Sequence, residues 1–295
     1  MPRAALLILW PLLLAAQPAP LSLYLSVEDG DRLIGGLGER NFRLYEDGRP
    51  VAFRLAEPEA PAAITLLVEH SRASWVYQSD LQAAVRAFLD AAPEGHWYSL
   101  ATYSHGWRVE VDFTRRKGEL WAAYSALEPP MWDEIDTYDA IYEVLEKLEM
   151  LPGRRVLILI GSGLDTLSAR TLQEVQQKIE SVNVTVFAAA AGSMLRGMYE
   201  PYLGNTARMD LTRAEAFLNL LARKSGGQAW LPRFESAYPD IARAVFLTLQ
   251  HQYRLVYESS LPRDGKFHRL RVEAFQLAGD RRRDFRVRVR DGWRR

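Results

Sequence analysis

The chain has 295 residues, of which 48% are hydrophobic and 25% charged, the proportions of a globular protein rather than a disordered or fibrous one. Its 37 basic and 37 acidic residues give a formal net charge of zero, which argues against a whole-molecule basic field for nucleic acid. Cysteine is absent, which excludes disulfides, zinc–thiolate sites, iron–sulfur clusters and cysteine nucleophiles.

The first residues have the layout of a secretory signal peptide. A positive charge at Arg3 precedes thirteen apolar residues, Ala4–Ala16, and a proline-containing segment at 17–20 ends the run. Because a membrane-spanning helix needs about 20 apolar residues, we interpret residues 1–19 as a cleaved signal, with an uncleaved anchor as the alternative. We expect no membrane span after cleavage. Export without cysteine favours a bacterial periplasm or the extracellular space.

Residues 20–60 have the pattern of β-strands. Between 21 and 27, apolar side chains recur at every second position, and this period of two predicts a strand. Runs at 42–45 and 51–55 flank a glycine-containing turn and predict a hairpin. The segment 57–61 is interpreted as a linker.

Residues 61–250 alternate between strands and helices. Three apolar runs, at 64–68, 156–160 and 182–190, have the composition of strands that are buried on both faces. Shorter strands are predicted at 97–103, 107–113 and 228–231. This alternation predicts an α/β fold with a doubly wound, Rossmann-like, mostly parallel sheet that has helices on both faces.

The helices of this segment are predicted from apolar residues at helical spacing. They lie at 81–89, 138–148, 172–179, 212–225 and 241–249. Thr212 and Glu215 have the spacing of a capping box and predict the start of the fourth helix. Gly226 and Gly227 predict its end.

Residues 251–295 return to a strand pattern, at 253–257, 268–275 and 285–289. Because a few strands at each end of the chain cannot close a core alone, we expect them to pair with those of 20–60 in one small β-domain. Thirteen Lys and Arg residues against six acids give this segment a net charge of +7. The arginines are interpreted as the solvated face of an edge strand, with binding to an anionic surface as the alternative.

The order of several motifs resembles a known family. These motifs are LYEDGRPV (44–51), TYDAIYEVLEKL (137–148), VLILIGSGLDT (156–166), LARKSGGQAW (221–230) and RDGKFHRLRV (263–272). Together they are similar to the secreted von Willebrand factor type A-related proteins of acidobacterial genomes. The similarity spans about residues 21–293 and implies a von Willebrand factor A-like domain with a flanking β-domain.

The resemblance implies a metal-ion-dependent adhesion site on three loops, 69–75, 132–139 and 161–166. In that family the first loop reads Asp-x-Ser-x-Ser, a Thr precedes the Tyr-Asp-Ala motif, and an Asp follows the VLILI-type strand. These oxygen ligands suit Mg²⁺, which requires near-octahedral geometry. The open position of the ion then accepts a carboxylate from the partner.

This sequence departs from that pattern at most ligand positions. Glu69 stands at the leading Asp, Ala73 at the second Ser, Ile135 at the Thr and Ser162 at the Asp, so that only Ser71 is unchanged. We therefore predict no cofactor and no functional divalent site. In a closed, metal-free cleft, Glu69 would hydrogen-bond to Ser71 and Ser162.

A rearranged metal site is the alternative at these loops. It would hold a weakly bound Mg²⁺ through Glu69, Ser71, Thr137 or Asp136, and Asp165. Such a site would make the protein a divalent-metal-dependent adhesin. Magnesium would then raise the melting temperature, because a ligand that binds only the folded state stabilises it.

Without a metal, the same loops are predicted to bind an unidentified protein partner. The predicted partner-binding residues are Glu69, Ser71, Arg72, Ser74, Trp75, Trp132, Asp136, Thr137, Ser162 and Asp165. Trp75 and Trp132 are interpreted either as an exposed aromatic rim or as core packing, and tryptophans in a rim often anchor protein partners. The predicted function is that of an exported bacterial protein-interaction module.

A secreted serine hydrolase is the remaining alternative. Ser162 lies between two glycines after an apolar strand, as in a nucleophile elbow, but Ile160 stands where the first glycine of that motif belongs. A triad would need His105 or His251, and the five histidines have no metal-ligand spacing. We therefore predict a binding protein rather than an enzyme.

Overall fold

The computed structural model describes residues 20–192, 202–279 and 281–295, so the predicted signal peptide lies outside the described residues. Its strands are β1 (Leu21–Asp29), β2 (Arg32–Leu33), β3 (Phe42–Glu46), β4 (Arg49–Val51), β5 (Phe53–Ala56), β6 (Ala63–Glu69), β7 (Trp97–Ser104), β8 (Gly106–Thr114), β9 (Arg155–Gly161), β10 (Val184–Ala190), β11 (Ala229–Trp230), β12 (Tyr253–Tyr257), β13 (Phe267–Ala278), β14 (Arg281–Val289) and β15 (Gly292–Arg294). Its helices are α1 (Gln78–Ala91), α2 (Lys117–Ser125), α3 (Thr137–Glu149), α4 (Leu172–Ser181), α5 (Asn205–Ser225) and α6 (Tyr238–Gln250). Within these ranges, no helix has the length and apolar character needed to cross a membrane.

The middle of the chain forms a six-stranded sheet in the order β11-β10-β9-β6-β7-β8. All neighbours are parallel except β7 and β8, which form an antiparallel pair at one edge. The three apolar runs predicted as buried strands are β6, β9 and β10, at the centre of the sheet. They are buried because α1, α2 and α6 pack on one face and α3, α4 and α5 on the other. The mixed α/β fold agrees with the prediction.

Two helices differ from their predicted extents. Helix α2 is missing from the prediction because only Leu120 and Tyr124 of its nine residues are buried, too few to produce a helical apolar repeat. Helix α5 begins at Asn205, so the capping box predicted at Thr212 is wrong; the Thr212 hydroxyl donates to the Arg208 carbonyl inside the helix, at 2.8 Å. The exposed first two turns of α5 have no apolar periodicity to mark its start.

Strands from both ends of the chain form the second sheet, which has nine strands in the described residues. Its main order is β4-β3-β13-β14-β1-β12-β5, with β2 on β1 and β15 on β13, and every pair is antiparallel. The first strand of the chain, β1, therefore lies between β14 and β12 from the opposite end. The N- and C-terminal strands pair with each other in this sheet.

Two details of this sheet correct the prediction. The apolar run at 51–55 is divided between β4 and β5, which lie at opposite edges of the sheet. The arginine-rich strand β14 is an interior strand, so its interpretation as an edge strand is wrong. Several of its arginines pair with acids of neighbouring strands: Arg282 lies 3.0 Å from Glu273, and Arg288 lies 2.8 Å from Glu28.

Polar contacts join the two sheets at the carboxyl end of α4. The buried guanidinium of Arg290, just after β14, donates to the carbonyls of Ile179, Glu180 and Val182 at 2.8–3.1 Å. The buried carboxylate of Glu180 in turn accepts a hydrogen bond from Arg294 at 2.8 Å. Since the last carbonyls of a helix have no partner within it, these contacts complete the end of α4.

Candidate functional site

The three predicted loops meet at the carboxyl ends of β6 and β9. The backbone N–H of Arg72 donates to the Trp132 carbonyl at 2.7 Å, which joins the loop after β6 to the segment before α3. The N–H of Thr166 donates to the Ile135 carbonyl at 2.8 Å, which joins the same segment to the loop after β9. The ligands of open α/β sheets bind at this end of the strands.

Glu69, the last residue of β6, lies at the centre of these loops and is fully buried. Its Oε1 accepts hydrogen bonds from the Tyr77 hydroxyl at 2.6 Å and the Ser71 hydroxyl at 3.3 Å. Its Oε2 accepts from the Ser162 N–H and the Ser162 hydroxyl, both at 2.7 Å. The expected contacts of Glu69 with Ser71 and Ser162 are therefore present, and each carboxylate oxygen has two donors.

Two tyrosines beside Glu69 are missing from the predicted site. Tyr77 lies in the turn that leads into α1, and Tyr103 on β7 is the register partner of Glu69. Burial, with the charge of Glu69 as a second cause, raises the pKa of both phenols well above its ordinary value. Both therefore stay protonated, and Tyr77 acts as a hydrogen-bond donor. Aligning the apolar runs of β6 and β7 would have placed Tyr103 here, but no pattern marks Tyr77.

Gly161, at the end of β9, leaves room for this cluster. A Cβ atom at this position would lie 2.5 Å from the Tyr103 hydroxyl oxygen and 2.9 Å from the Glu69 Cβ. Both distances are well below normal contact between heavy atoms. Glycine at 161 therefore allows β9 to pass close enough for Ser162 to reach the carboxylate.

The two serines of the first loop contact each other. The Ser74 N–H donates to the Ser71 hydroxyl at 3.0 Å, and the Ser74 hydroxyl donates to the Ser71 carbonyl at 2.7 Å. Both residues are buried. Their hydroxyls stabilise the short 3₁₀ turn at Ala73–Tyr77, so Ser74 does not reach Glu69 to compensate for Ala73.

Thr137 and Asp165 stabilise the start of α3. The Thr137 hydroxyl donates to the Leu164 carbonyl. The Asp165 carboxylate accepts from the Tyr138 N–H at 3.1 Å and from the Ser168 hydroxyl. Neither side chain hydrogen-bonds to Glu69, although both belong to the alternative ligand set.

Asp136 faces the β7–β8 hairpin. One of its oxygens accepts from the Gly106 N–H at 3.0 Å and lies 3.2 Å from His105 Nδ1. The imidazole of His105 also packs against the indole of Trp132, with ring centroids 5.4 Å apart. Asp136 therefore orients the imidazole beneath the exposed Trp132.

These contacts define how well the loops suit Mg²⁺. The ion requires near-octahedral oxygen coordination at about 2.0–2.1 Å. Both oxygens of Glu69 already accept two hydrogen bonds each, while Ala73 and Ile135 supply no side-chain oxygen. No three acids or histidines converge as possible ligands within the described ranges. The donor set therefore does not fit a magnesium site.

An exposed apolar surface, here called the indole rim, surrounds the buried cluster. It consists of Trp75, Val76, Met131 and Trp132, which are 52%, 72%, 77% and 51% exposed. The two tryptophans are thus half-exposed and lie on two different loops. Arg72 connects these loops through a paired hydrogen-bond contact with Asp133, whose Oδ1 lies 2.8 Å from Nε.

No histidine contacts the Ser162 hydroxyl in the described residues. This hydroxyl donates to Glu69 and accepts from the Leu164 N–H at 3.1 Å. The five histidines contact other groups: His70 the Glu128 carbonyl, His96 the Ala62 N–H, His105 the Asp136 carboxylate, His251 the Leu247 carbonyl and His268 the Asp47 carboxylate. The contacts of Ser162 therefore differ from those of a Ser–His pair.

Comparisons with known proteins give matches among solved structures only. No protein-family model matches the sequence, and no curated protein matches it. A von Willebrand factor type A protein from Catenulispora acidiphila is 10% identical, with 95% of this chain and 75% of that chain covered and a TM-score of 0.47. The protein BatB from Bacteroides thetaiotaomicron is 11% identical, with 64% and 99% covered and a TM-score of 0.46. The vWF domain of the type V pili tip protein Mfa5 from Porphyromonas gingivalis is 14% identical, with 64% and 96% covered and a TM-score of 0.43.

Proposed function

We propose that this chain is a non-catalytic protein-interaction module with a von Willebrand factor A-like fold, exported from a bacterial cell, which binds its partner without a divalent ion. The observation that carries the proposal is the state of Glu69. Its carboxylate, at the centre of the loops, is buried and already has four hydrogen-bond donors. In this degenerate metal site, the Glu69 carboxylate stabilises the loops through hydrogen bonds instead of binding an ion.

The indole rim then supplies the binding surface. A partner that covers these apolar side chains removes their exposed area from water, and tryptophan is enriched among the residues that dominate binding energy. The Arg72 N–H donates to the Trp132 carbonyl at 2.7 Å and the Trp75 N–H donates to the Arg72 carbonyl at 3.2 Å, so backbone contacts position both tryptophans. The partner therefore meets a preorganised apolar surface.

Arg72 gives this surface a site for a carboxylate. Its ion pair with Asp133 is solvent-exposed, with side chains 63% and 56% accessible. Because exposed ion pairs contribute little to stability, a carboxylate of the partner can replace Asp133 at small cost. Arg72 would then bind the carboxylate of the partner, as an Mg²⁺ ion does in a metal-dependent adhesion site.

The binding experiment compares capture of envelope proteins by the immobilised wild-type chain with and without a chelator. We expect the same proteins in both cases, and we expect the Trp75→Ala/Trp132→Ala variant to lose them. Trp97→Ala is the matched control, because Trp97 is partly exposed at the opposite, amino end of β7. Capture that the chelator abolishes, or that the double variant retains, contradicts the proposal.

The metal experiment measures thermal unfolding in millimolar Mg²⁺ or Mn²⁺ and in chelator. We expect the same melting temperature in all three conditions. Glu69→Gln should lower stability equally in each, by about 1.5–3 kcal/mol, because an amide cannot accept all four hydrogen bonds of the carboxylate. A metal-induced rise in melting temperature that Glu69→Gln removes would instead support the metal-dependent adhesin.

A further inference from the structure

A groove of 1630 Å³ runs along the free edge of the six-stranded sheet, away from the indole rim. Its floor is β11, and its two walls are α5 and α6, which pack on opposite faces of the sheet. Strands β1, β2 and β14 of the second sheet close one end. The volume exceeds the roughly 300–1,000 Å³ of most small-molecule sites, so the groove has room for a segment of polypeptide.

The floor of the groove offers unpaired backbone groups. Strand β11 pairs only with β10 in the described residues, with Ala229 opposite Ala188. The Ala188 N–H donates to the Gln228 carbonyl at 3.0 Å. Since alternate residues of a parallel strand bond to opposite sides, the N–H and C=O of Ala229 point away from β10 and into the groove. An extended peptide can add to such an edge as a further strand.

The walls differ in their chemistry. The α5 wall has Arg213 and Arg223 on either side of apolar residues that include Leu220, whereas the lining residues from α6 include Leu247 and no lysine or arginine. Leu247 is 50% exposed. Successive side chains of an added strand point alternately to the two walls. The groove therefore suits a strand with acidic side chains on one face and apolar side chains on the other.

Positive charge exceeds negative charge in the lining. Its five arginines are Arg32, Arg213, Arg223, Arg286 and Arg288, and its three acids are Glu28, Asp31 and Asp291. Glu28 is shared by Arg286 at 3.7 Å and Arg288 at 2.8 Å, and Asp291 lies 3.9 Å from Arg223. Arg213 also lies 3.3 Å from Asp210, outside the lining, so acids and arginines are both partly paired. The excess of arginines over acids in the lining still attracts anionic side chains.

We propose that this groove binds an extended acidic segment of a partner protein, which joins β11 as an additional strand. Arg213 and Arg223 are ten positions apart and so about 15 Å apart along α5. That distance corresponds to about four to five residues of a strand, and residues i and i+4 lie on one face. The bound segment therefore has acidic residues four positions apart, with apolar residues at the intervening odd positions.

Selection of random peptides displayed on phage tests the proposal. The full-length chain is the bait, and the Arg213→Ala/Arg223→Ala variant is used for counter-selection. We expect enriched peptides with the acidic and apolar pattern above. A synthetic fluorescent copy should bind the double variant at least tenfold more weakly than wild type, while Arg263→Ala, a loss of an exposed arginine outside the groove, should not change binding. Absence of the pattern, or equal loss in the control, overturns the proposal.

A second variant tests strand addition separately from charge. Ala229→Pro removes the N–H that points into the groove and leaves the backbone bonds to β10, so it should weaken peptide binding at least tenfold at unchanged charge. Trp75→Ala/Trp132→Ala should leave this binding intact, which separates the groove from the indole rim. Undiminished binding by Ala229→Pro, or binding of polyphosphate but of no acidic peptide, overturns the proposal.

Discussion

Gly161, the last residue of β9, lies close to both Tyr103 and Glu69. We predict that Gly161→Ala lowers the free energy of unfolding by about 1–3 kcal/mol, the usual cost of inserting a methyl group into a packed interior. The new Cβ would lie 2.5 Å from the Tyr103 hydroxyl oxygen and 2.9 Å from the Glu69 Cβ, so β9 must shift and draw Ser162 away from the carboxylate. Urea unfolding measures the change.

Two variants control this prediction. Gly118→Ala, in the first turn of α2, adds a Cβ with no heavy atom within 4 Å, and should leave stability unchanged or raise it by up to about 1 kcal/mol. Gly161→Ala in a Tyr103→Phe background should lose less stability, because the nearest clashing atom is gone. A Gly161→Ala protein as stable as wild type would show that the cluster around Glu69 is not tightly packed.

The contacts of Glu69 could be predicted only in part. Its approach to Ser71 and Ser162 follows from motifs at the ends of two apolar strands, because parallel strands end at the same edge of a sheet. The contribution of Tyr77 depends on the path of a turn, and that of Tyr103 on the register of β6 against β7. An alignment of the apolar runs of β6 and β7 can place Tyr103, whereas Tyr77 depends on tertiary packing that has no local sequence signal.

Among the elements, helix α4 depends on a residue more than a hundred positions away. Arg290 donates to three carbonyls at the end of this helix, those of Ile179, Glu180 and Val182. We predict that Arg290→Met costs about 3 kcal/mol or more, because it leaves buried carbonyls without donors. Denaturant unfolding measures the loss, and hydrogen exchange in the last turn of α4 should accelerate selectively.

Arg271→Met is the matched control for Arg290→Met. The Arg271 side chain is 60% exposed and pairs with Glu273 on the surface, so its loss should change stability by no more than about 0.5 kcal/mol. Arg290→Lys should recover only part of the stability, since an ammonium group cannot match the fork of guanidinium donors. Equal effects of Arg290→Met and Arg271→Met would contradict a specific role for Arg290 at the end of α4.

The strands and helices that bury many residues are the ones that the sequence predicts correctly. Strands β6, β9 and β10 are buried on both faces, and their continuous apolar runs identify them in the sequence. Helix α2 and the first turns of α5 bury few residues, so they have no apolar repeat at helical spacing. The run at 51–55 is divided because β4 pairs with the neighbouring β3, as the hairpin pattern predicts, whereas β5 pairs with the distant β12, which no local pattern encodes.

At the scale of the whole molecule, the interleaved ends of the chain make the two sheets interdependent. Strand β1 lies between two C-terminal strands, and Arg290 and Arg294 connect that sheet to α4. The two sheets cannot separate from each other without exposing the polar groups at this junction. We therefore expect the two sheets to unfold in one cooperative step, and the tyrosines of the protein provide a way to observe it.

Burial raises the pKa of nine of the 13 tyrosines in the sequence. They are Tyr24, Tyr77, Tyr98, Tyr103, Tyr124, Tyr138, Tyr238, Tyr253 and Tyr257. In the unfolded chain a tyrosine ionises near pH 10. Above that pH the unfolded state loses protons that the folded state retains, so the free energy of unfolding falls as the pH rises.

We predict full stability from this source below about pH 10 and a progressive loss above it. In an alkaline titration followed by phenolate absorbance, these nine tyrosines should ionise above the pH at which a free tyrosine does, together with the loss of the native circular dichroism. We expect a single step, because Tyr24 and Tyr257 lie in one sheet and Tyr98 in the other. Two separate steps would show that the sheets unfold independently, and ionisation of most tyrosines in the native state would show that these phenols are not buried.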